Sequence, residues 1–159
     1  MGAVRVACSF DALLDYNLPA VIELDHDGSG TRYMALFSVK NDTATVYIKR
    51  KRIIIPLETA RELYAGTATF VTSDTFVNRA ALNGNAGLSL EVRKLQDYLR
   101  TLKYFAGSPS GWYTAETQAA VVRFQSDNAI EPTGIADGQT KLRLYTLAPP
   151  DGTPRLKRE

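Results

Sequence analysis

The sequence has 159 residues, of which 45% are apolar and 23% charged, and its formal net charge is +2. This composition is typical of a globular protein of one or two domains, and the charge is too small to indicate a nucleic-acid partner. A single cysteine excludes an internal disulfide and any multi-cysteine metal site. No stretch reaches the ~18 consecutive apolar residues that a membrane-spanning helix needs.

Residues 1–76 are predicted to form an α+β domain, in which a small antiparallel sheet packs against short helices. Capping and apolar spacing predict a helix over residues 9–16 that Ser9 caps, and a second helix over residues 57–64 that Gly66 ends. Alternating or β-branched apolar runs predict the strands, which cover residues 19–24, 32–39, 43–48, 52–55 and 67–72.

Consecutive basic residues, Lys49–Arg52, lie between two of the predicted strands. We interpret them as a hairpin turn whose charges face water and discourage pairing at a sheet edge. No aromatic side chains alternate with them, as a platform for stacking nucleic-acid bases would require. An acidic protein partner is the alternative interpretation of this run.

Cys8 and His26 are the candidates for nucleophilic catalysis in this half. His26 lies between Asp25 and Asp27 in a turn-rich segment and is predicted to be an exposed loop histidine. Cys8 is predicted to be a small apolar residue near the start of the first helix. No cluster of His, Cys and Asp has the spacing of a zinc site. We therefore expect no catalytic residue, no metal and no cofactor.

The connection between the two halves and the end of the chain have the composition of flexible segments. Residues 77–88 are predicted to be a linker, because Asn83–Gly87 is rich in small and turn-forming residues. Residues 148–159 are predicted to be a flexible tail.

Residues 89–147 show three amphipathic helical patterns and are predicted to form an all-α domain. Ser89 and Thr114 are predicted to cap the first two helices, since each precedes an acidic residue and an apolar stripe. The third helix is predicted to begin near Asp137 or Gly138.

Two loop segments of this half are alike, because Gly111 and Gly134 are each followed at the same spacing by a threonine, Thr117 or Thr140. The chain reads V-R-x-L-Q-x-x-L, then S-G-x-Y-x-x-x-T-x-x-A-V-x-x-F-Q, then G-x-x-x-x-x-T-x-x-x-L. This pattern resembles the small three-helix peptidoglycan-binding domain of bacterial wall enzymes. The resemblance implies a three-helix fold and peptidoglycan as the ligand.

The candidate ligand-binding residues are Tyr104, Trp112, Tyr113, Arg123 and Gln125. Aromatic rings stack on sugar faces, amides hydrogen-bond, and arginine pairs with the carboxylates of stem peptides. Spacing favours Tyr113, together with Phe105, as a core ring, and it favours Tyr104 and Trp112 as partly exposed rings. Arg123 is alternatively an ordinary solvated arginine, and Gln125 alternatively ties down the Gly111 loop.

The front half is similar to the C-terminal part of the papain-like cysteine peptidase domain that trims double-glycine leaders. The matching segments are Asn17–Val21, Arg32–Leu36, Thr43–Tyr47 and Leu57–Gly66. In that family a histidine base begins one strand and an aspartate ends the next, whereas this chain has Arg32 and Tyr47–Lys49 there. An arginine stays protonated and cannot accept a thiol proton, so the resemblance implies a degenerate, non-catalytic module.

Together the two halves resemble the periplasmic C-terminal region of the general secretion pathway protein A family, the GspA/ExeA type of type II secretion systems. This resemblance implies a periplasmic module of a larger inner-membrane protein, with any ATPase in an N-terminal domain that this chain does not include. It also implies a non-catalytic role in which the module binds peptidoglycan and supports secretin assembly. The implied partners are peptidoglycan, the secretin and an inner-membrane protein, and no nucleic acid.

Two alternatives stay open at this point. The first is a protein-interaction module that has lost wall binding, because Ser110 and Asp137 stand where the three-helix family usually has aspartate and glycine. The second is a fragment of a cell-wall hydrolase or of a cysteine peptidase whose nucleophile lies on another segment.

Overall fold

The computed structural model describes residues 2–25, 32–72 and 74–156. The chain divides into two compact units. One, which we call the α+β unit, contains Ala3–Thr72 and Gly152–Glu159, and the other, the helical unit, contains Ser73–Asp151 and Met1–Gly2. The predicted fold class, an α+β half followed by an all-α half, is confirmed.

A six-stranded sheet is the centre of the α+β unit. Its strands are β1 (Gly2–Ala7), β2 (Ala20–Leu24), β3 (Arg32–Lys40), β4 (Thr43–Ile48), β5 (Lys51–Pro56) and β6 (Tyr64–Thr72). They lie in the order β1-β6-β2-β3-β4-β5, and β2 with β3, β2 with β6, β3 with β4 and β4 with β5 all pair antiparallel. The two edges of the sheet are therefore β1 and β5.

Two short helices, α1 (Phe10–Tyr16) and α2 (Leu57–Glu62), belong to the same unit. Ser9 caps α1 as predicted, because its Oγ accepts the N–H of Ala12 at 3.2 Å. The core consists of apolar side chains that helix and sheet bury together, among them Leu13, Leu18, Ile22, Met34, Leu36, Val46 and Phe70.

Two predictions for this unit are wrong. No strand is predicted before the first helix, yet β1 lies there, with Val4 and Val6 buried on one face. The second helix ends at Glu62, and Tyr64 already belongs to β6. Gly66, which has a φ of 83°, lies inside β6 where its register with β2 shifts. This glycine therefore accommodates an irregularity in a strand and does not end a helix.

The basic run forms a hairpin turn, as predicted. Lys49 and Arg50 join β4 to β5 with φ values of 47° and 66°, and Ile48 pairs with Lys51 across the turn. Positive φ at both central residues suits the right-handed twist of a hairpin, although Asn-Gly usually provides it. Lys51 and Arg52 already belong to β5. The positive charge thus extends from the turn into an edge strand.

The helical unit contains α3 (Leu90–Thr101), α4 (Ala115–Asp127) and α5 (Gly138–Leu147). Each helix begins with a side-chain cap, provided by Ser89, Thr114 and Asp137. The inward faces form one core whose large side chains are Leu95, Leu99, Phe105, Val121, Phe124, Leu142 and Tyr145.

The segment before α3 also packs on this core. A short 3-10 helix, Thr75–Asn78, buries Phe76, whose ring stacks on Tyr98 with the centroids 5.5 Å apart. Further along, Leu82 and Ala136 exchange two backbone hydrogen bonds in an isolated antiparallel bridge. The segment is therefore held at two places along its length.

A buried lysine holds the same segment at a third place. The ammonium of Lys141 donates to the carbonyls of Arg79 and Ala80 at 2.8 and 2.7 Å. Burial lowers the pKa of this ammonium because it removes water that hydrates the charge. The two hydrogen bonds to backbone carbonyls replace part of that hydration. The predicted division into residues 1–76 and a linker over residues 77–88 thus differs from the structure, where much of that segment is part of the helical unit.

The last described residues return to the α+β unit. Leu156 is fully buried, its N–H donates to the carbonyl of Asn17 at 3.1 Å, and its carbonyl accepts the N–H of Val39 at 2.8 Å. The predicted flexible tail over residues 148–159 therefore contains an anchored position. A single leucine among charged residues and prolines has no periodicity that would predict this contact.

Candidate functional site

A buried glutamine of α3 fixes the loop that joins α3 to α4, residues 102–114, which we call the first loop. The Oε1 of Gln96 accepts the N–H of Gly111 at 2.9 Å. Its Nε2 donates to the carbonyl of Trp112 and to the hydroxyl of Thr117, each at 2.9 Å. Gln96 is 0% exposed, so water does not compete for these hydrogen bonds.

A second glutamine repeats this arrangement in the loop between α4 and α5, residues 128–137, which we call the second loop. The Oε1 of Gln125 accepts the N–H of Gly134 at 2.9 Å, and its Nε2 donates to the carbonyl of Ile135 at 2.9 Å and to the hydroxyl of Thr140 at 3.0 Å. A carboxamide suits both sites because it combines an acceptor with two N–H donors. The repeated glycine and threonine of the sequence are therefore the partners of a repeated glutamine.

This geometry corrects the interpretation of Gln125. It holds the Gly134 loop and not the Gly111 loop, and its burial removes it from the candidate ligand-binding surface. Gln96, which sequence analysis did not select, holds the Gly111 loop. The signal that identifies both is a glutamine directly after a core apolar residue of the helix.

Tyr113 is also an interior residue. It is 8% exposed, and its hydroxyl donates to the carbonyl of Gly134 at 2.7 Å. Tyr113 therefore lies in the core, as spacing predicts, and its hydroxyl connects the first loop to the second.

Burial raises the pKa of Tyr113 from 10.0 to about 12. Because the folded protein then keeps a proton that the unfolded chain releases, the phenol stabilises the fold fully below pH 10.0 and loses this effect as the pH rises to about 12. We expect the free energy of unfolding of the helical unit to fall more steeply over this range in the wild type than in Tyr113→Phe. Urea denaturation followed by Trp112 fluorescence measures it, and equal slopes would contradict the assignment.

Trp112 is exposed, as predicted, on a backbone that is fixed on both sides. The ring is 53% exposed, while the N–H of this residue donates to the Oγ of Ser110 and its carbonyl accepts from Gln96. Ile135 has the corresponding place in the second loop and is 38% exposed. Leu88 is 64% exposed and lies beside the same loop, because the N–H of the next residue, Ser89, donates to the carbonyl of Gly111. Sequence analysis missed both aliphatic side chains because isolated exposed apolar residues are common.

Tyr104 and Arg123, the remaining candidates, lie together. The Nη2 of Arg123 donates to the carbonyl of Tyr104 at 2.8 Å, and the hydroxyl of Tyr104 donates to Asp127 at 3.0 Å. The ring of Tyr104 meets Phe124 edge-on with centroids 5.3 Å apart. Tyr104 is half-buried and stabilises the first loop, whereas Arg123 is exposed and has further N–H donors to offer an anionic ligand.

A shallow pocket of the helical unit is lined by Thr75, Phe76, Arg79, Leu90, Glu91 and Lys94. Its cations already have acidic neighbours, because the Nζ of Lys94 lies 2.7 Å from Asp74 and the Nε of Arg79 lies 4.0 Å from Glu91. These carboxylates would compete with an anionic ligand, so the pocket is a weaker candidate than the exposed side chains of the loops.

The surroundings of Cys8 do not suit nucleophilic catalysis. Its Sγ lies 3.4 Å from the hydroxyl of Tyr64, and burial raises the pKa of both groups, which keeps the thiol protonated. Arg32, which the predicted resemblance to cysteine peptidases places where their histidine base stands, is exposed. The prediction for His26 lies outside the described residues. Among the residues that the structure describes, no group of His, Cys, Asp and Glu could hold a metal ion, and no helix has the length and apolar character to cross a membrane.

Comparison with known proteins finds a similarity for the three helices. Residues 89–144 match the model of the putative peptidoglycan binding domain family. The match begins at the cap of α3 and ends within α5. It therefore includes both glutamine-held loops and leaves out the segment that Lys141 holds.

Two larger proteins are similar to most of the chain. General secretion pathway protein A of Aeromonas hydrophila is 26% identical over 141 residues, which are 89% of this chain and 25% of the relative. The chain thus spans a quarter of the length of that curated relative. A crystal structure of a periplasmic domain of the EpsAB fusion protein of the Vibrio vulnificus type II secretion system has a TM-score of 0.51 and 22% identity, and the match covers 91% of this chain and 64% of that one.

The likeness to the Vibrio vulnificus crystal structure supports the fold of this chain alone. The relation of the α+β unit to cysteine peptidases stays a prediction. Residues 89–144 of the helical unit are similar to the putative peptidoglycan binding domain family, and the chain is similar over most of its length to general secretion pathway protein A.

Proposed function

We propose that the helical unit binds peptidoglycan and that Trp112 is its principal contact. The observation that carries the proposal is an exposed indole ring on a backbone that Gln96 and Ser110 fix. An aromatic face of this kind stacks on a sugar ring, and a rigid backbone loses little conformational entropy on binding. The family match over residues 89–144 supports the wall polymer as the ligand.

Arg123 has a secondary role in this proposal. Its guanidinium is exposed and orders the first loop through the carbonyl of Tyr104. The remaining donors suit a stem-peptide carboxylate, with which arginine forms charge-assisted hydrogen bonds. Such a contact weakens as the salt concentration rises, whereas stacking on Trp112 does not.

We expect Trp112→Ala to weaken binding to purified peptidoglycan sacculi by about tenfold, the equivalent of ~1.4 kcal/mol. Loss of the ring removes the stacking surface but leaves the backbone hydrogen bonds of the first loop in place. Co-sedimentation of the full chain over a range of protein concentrations, at moderate salt, measures the change.

Leu147→Ala is the matched control, because Leu147 is 44% exposed and lies at the end of α5. It removes a comparable exposed apolar side chain and should leave sedimentation unchanged. Sedimentation of Trp112→Ala at the wild-type level would exclude the indole as the contact. If the wild type itself stays in the supernatant, the proposal of wall binding is wrong, and the alternative of a protein-interaction module takes its place.

We further propose that the chain works in the periplasm as part of a larger inner-membrane protein of a type II secretion system. There it would anchor the machinery to the wall while the secretin assembles, with no catalytic step of its own. The similarity to general secretion pathway protein A supports this role. In cells with Trp112→Ala in the full-length protein, secretin multimers should decrease on immunoblots at an unchanged level of the variant. Normal multimers would separate wall binding from secretin assembly.

A further inference from the structure

Strand β5 exposes apolar side chains on both faces of the sheet. Ile53 is 40% exposed and lies opposite buried Val46 of β4, whereas Ile54 is 62% exposed and lies opposite Thr45. The two isoleucines therefore point to opposite faces, as successive strand residues do. None of the described residues buries either isoleucine.

The backbone of β5 is open on its outer side. The strand is the last in the sheet order, so β4 is its one partner among the described strands. Within the described part of the chain, no backbone hydrogen bond outside the sheet ladder involves residues 51–56. An edge strand with unpaired N–H and C=O groups is a template for a further strand.

An aromatic cluster continues the exposed face of β5 towards the middle of the sheet. Phe37 and Tyr47 are 39% and 36% exposed and meet edge-to-face, with centroids 5.6 Å apart. Tyr47 lies opposite Arg52 of β5. Side chains of a strand added next to β5 would therefore find apolar neighbours on this face.

The charge of this edge specifies the partner. Lys49–Arg52 are all exposed, and the sequence from residue 43 to residue 57 contains no aspartate or glutamate. Among the described residues, none forms an ion pair with these cations. Such a positive strip repels a basic strand and attracts an acidic one.

We propose that the outer edge of β5 receives an extended acidic segment of a partner protein, which adds to the sheet as a further strand. Backbone hydrogen bonds to β5 give the affinity, and contacts with Ile54 and Tyr47, which share one face of the sheet, select apolar side chains at alternate positions. Carboxylates of the segment lie near Lys49–Arg52. This surface belongs to the α+β unit and does not depend on wall binding, so it goes beyond the function proposed for the helical unit.

A fluorescein-labelled synthetic peptide that alternates glutamate and valine tests the proposal. Its fluorescence anisotropy should rise saturably with the full chain, less so as salt is added, and amide exchange of residues 51–55 should slow on binding. A peptide that alternates lysine and valine should not bind. A glutamate and valine peptide in which every backbone nitrogen is methylated should not bind either, because it has no backbone N–H to donate to β5.

The double variant Lys51→Glu/Arg52→Glu should weaken binding of the acidic peptide by at least about tenfold. Arg93→Glu/Lys103→Glu, exposed positions of the helical unit with the same change in net charge, is the control and should bind as the wild type does. Equal binding of acidic and basic peptides, or none of either, would overturn the proposal. So would a dimer in sedimentation velocity that Ile54→Lys abolishes, because the edge would then serve a second copy.

Discussion

Replacement of Gln125 by leucine should lower the free energy of unfolding of the helical unit by about 3 kcal/mol. Leucine has nearly the same volume but leaves the N–H of Gly134 and the carbonyl of Ile135 without their partner in a site that water does not reach. Urea denaturation followed by tryptophan fluorescence measures this loss selectively, because Trp112 is the only tryptophan and lies in the helical unit.

Gln118→Leu is the matched control on the same helix, because its side chain is exposed, and it should change the unfolding midpoint little. Gln125→Glu should also destabilise the unit, since a carboxylate cannot donate to the carbonyl of Ile135. That loss should shrink as the pH falls, because protonation restores one donor. A wild-type midpoint for Gln125→Leu would show that the repeated hydrogen bonds contribute nothing to stability.

Phe76→Ala should also cost about 3 kcal/mol of helical-unit stability, although residue 76 lies outside the segment that matches the family. The ring is 3% exposed and stacks on Tyr98. The ammonium groups of Lys94 and Lys141 lie 5.8 and 5.4 Å from its centroid, so cation–π attraction adds to the buried area. The same fluorescence-detected denaturation measures the loss.

Phe37→Ala is the control for this prediction. It deletes the same ring at a position that is 39% exposed, in the α+β unit, and should leave the Trp112 transition unchanged. If Phe76→Ala also left it unchanged, the segment before α3 would be a dispensable linker, as the sequence composition suggests. The contacts of Lys141 with Arg79 and Ala80 would then be too weak to order it.

Local signals made much of the fold predictable. Ser9, Ser89 and Thr114 cap helices whose first turns follow them directly, so the partners of each hydrogen bond are neighbours in the sequence. The pairing of β3 with β4 and of β4 with β5 follows from alternating patterns and two-residue turns for the same reason. Gly66 misled the prediction, because a glycine after an amphipathic turn is also the usual end of a helix.

Contacts between residues that are distant in the sequence could not be predicted from sequence patterns. β1 is short, and its period of two rests on Val4 and Val6 alone. Lys141 reads as a surface residue of an amphipathic helix, and only the fold brings the carbonyls of Arg79 and Ala80 to its ammonium. Long-range contacts of single residues leave no periodicity to detect.

The resemblance to a family predicts which part of the chain contains the candidate site, but the role of each residue in it could be predicted only in part. The exposed ring of Trp112 and the core position of Tyr113 follow from spacing. Because Gln125 directly follows Phe124, spacing predicts that it points away from the core stripe. Its burial depends on loop N–H and C=O groups that need partners. Gln96 is equivalent to it, and the repeated glycines and threonines of the sequence are the partners of the two glutamines.

The position of Leu156 determines the order in which the two units can be completed during synthesis. The ribosome delivers residues 3–72 before the helical unit, but the leucine that fills part of their core emerges only after the whole helical unit. Until then the carbonyl of Asn17 and the N–H of Val39, which Leu156 binds in the folded unit, must form hydrogen bonds with water. The unit that begins the chain is therefore expected to finish folding second, and a product cut short after Asp151 would expose apolar surface there.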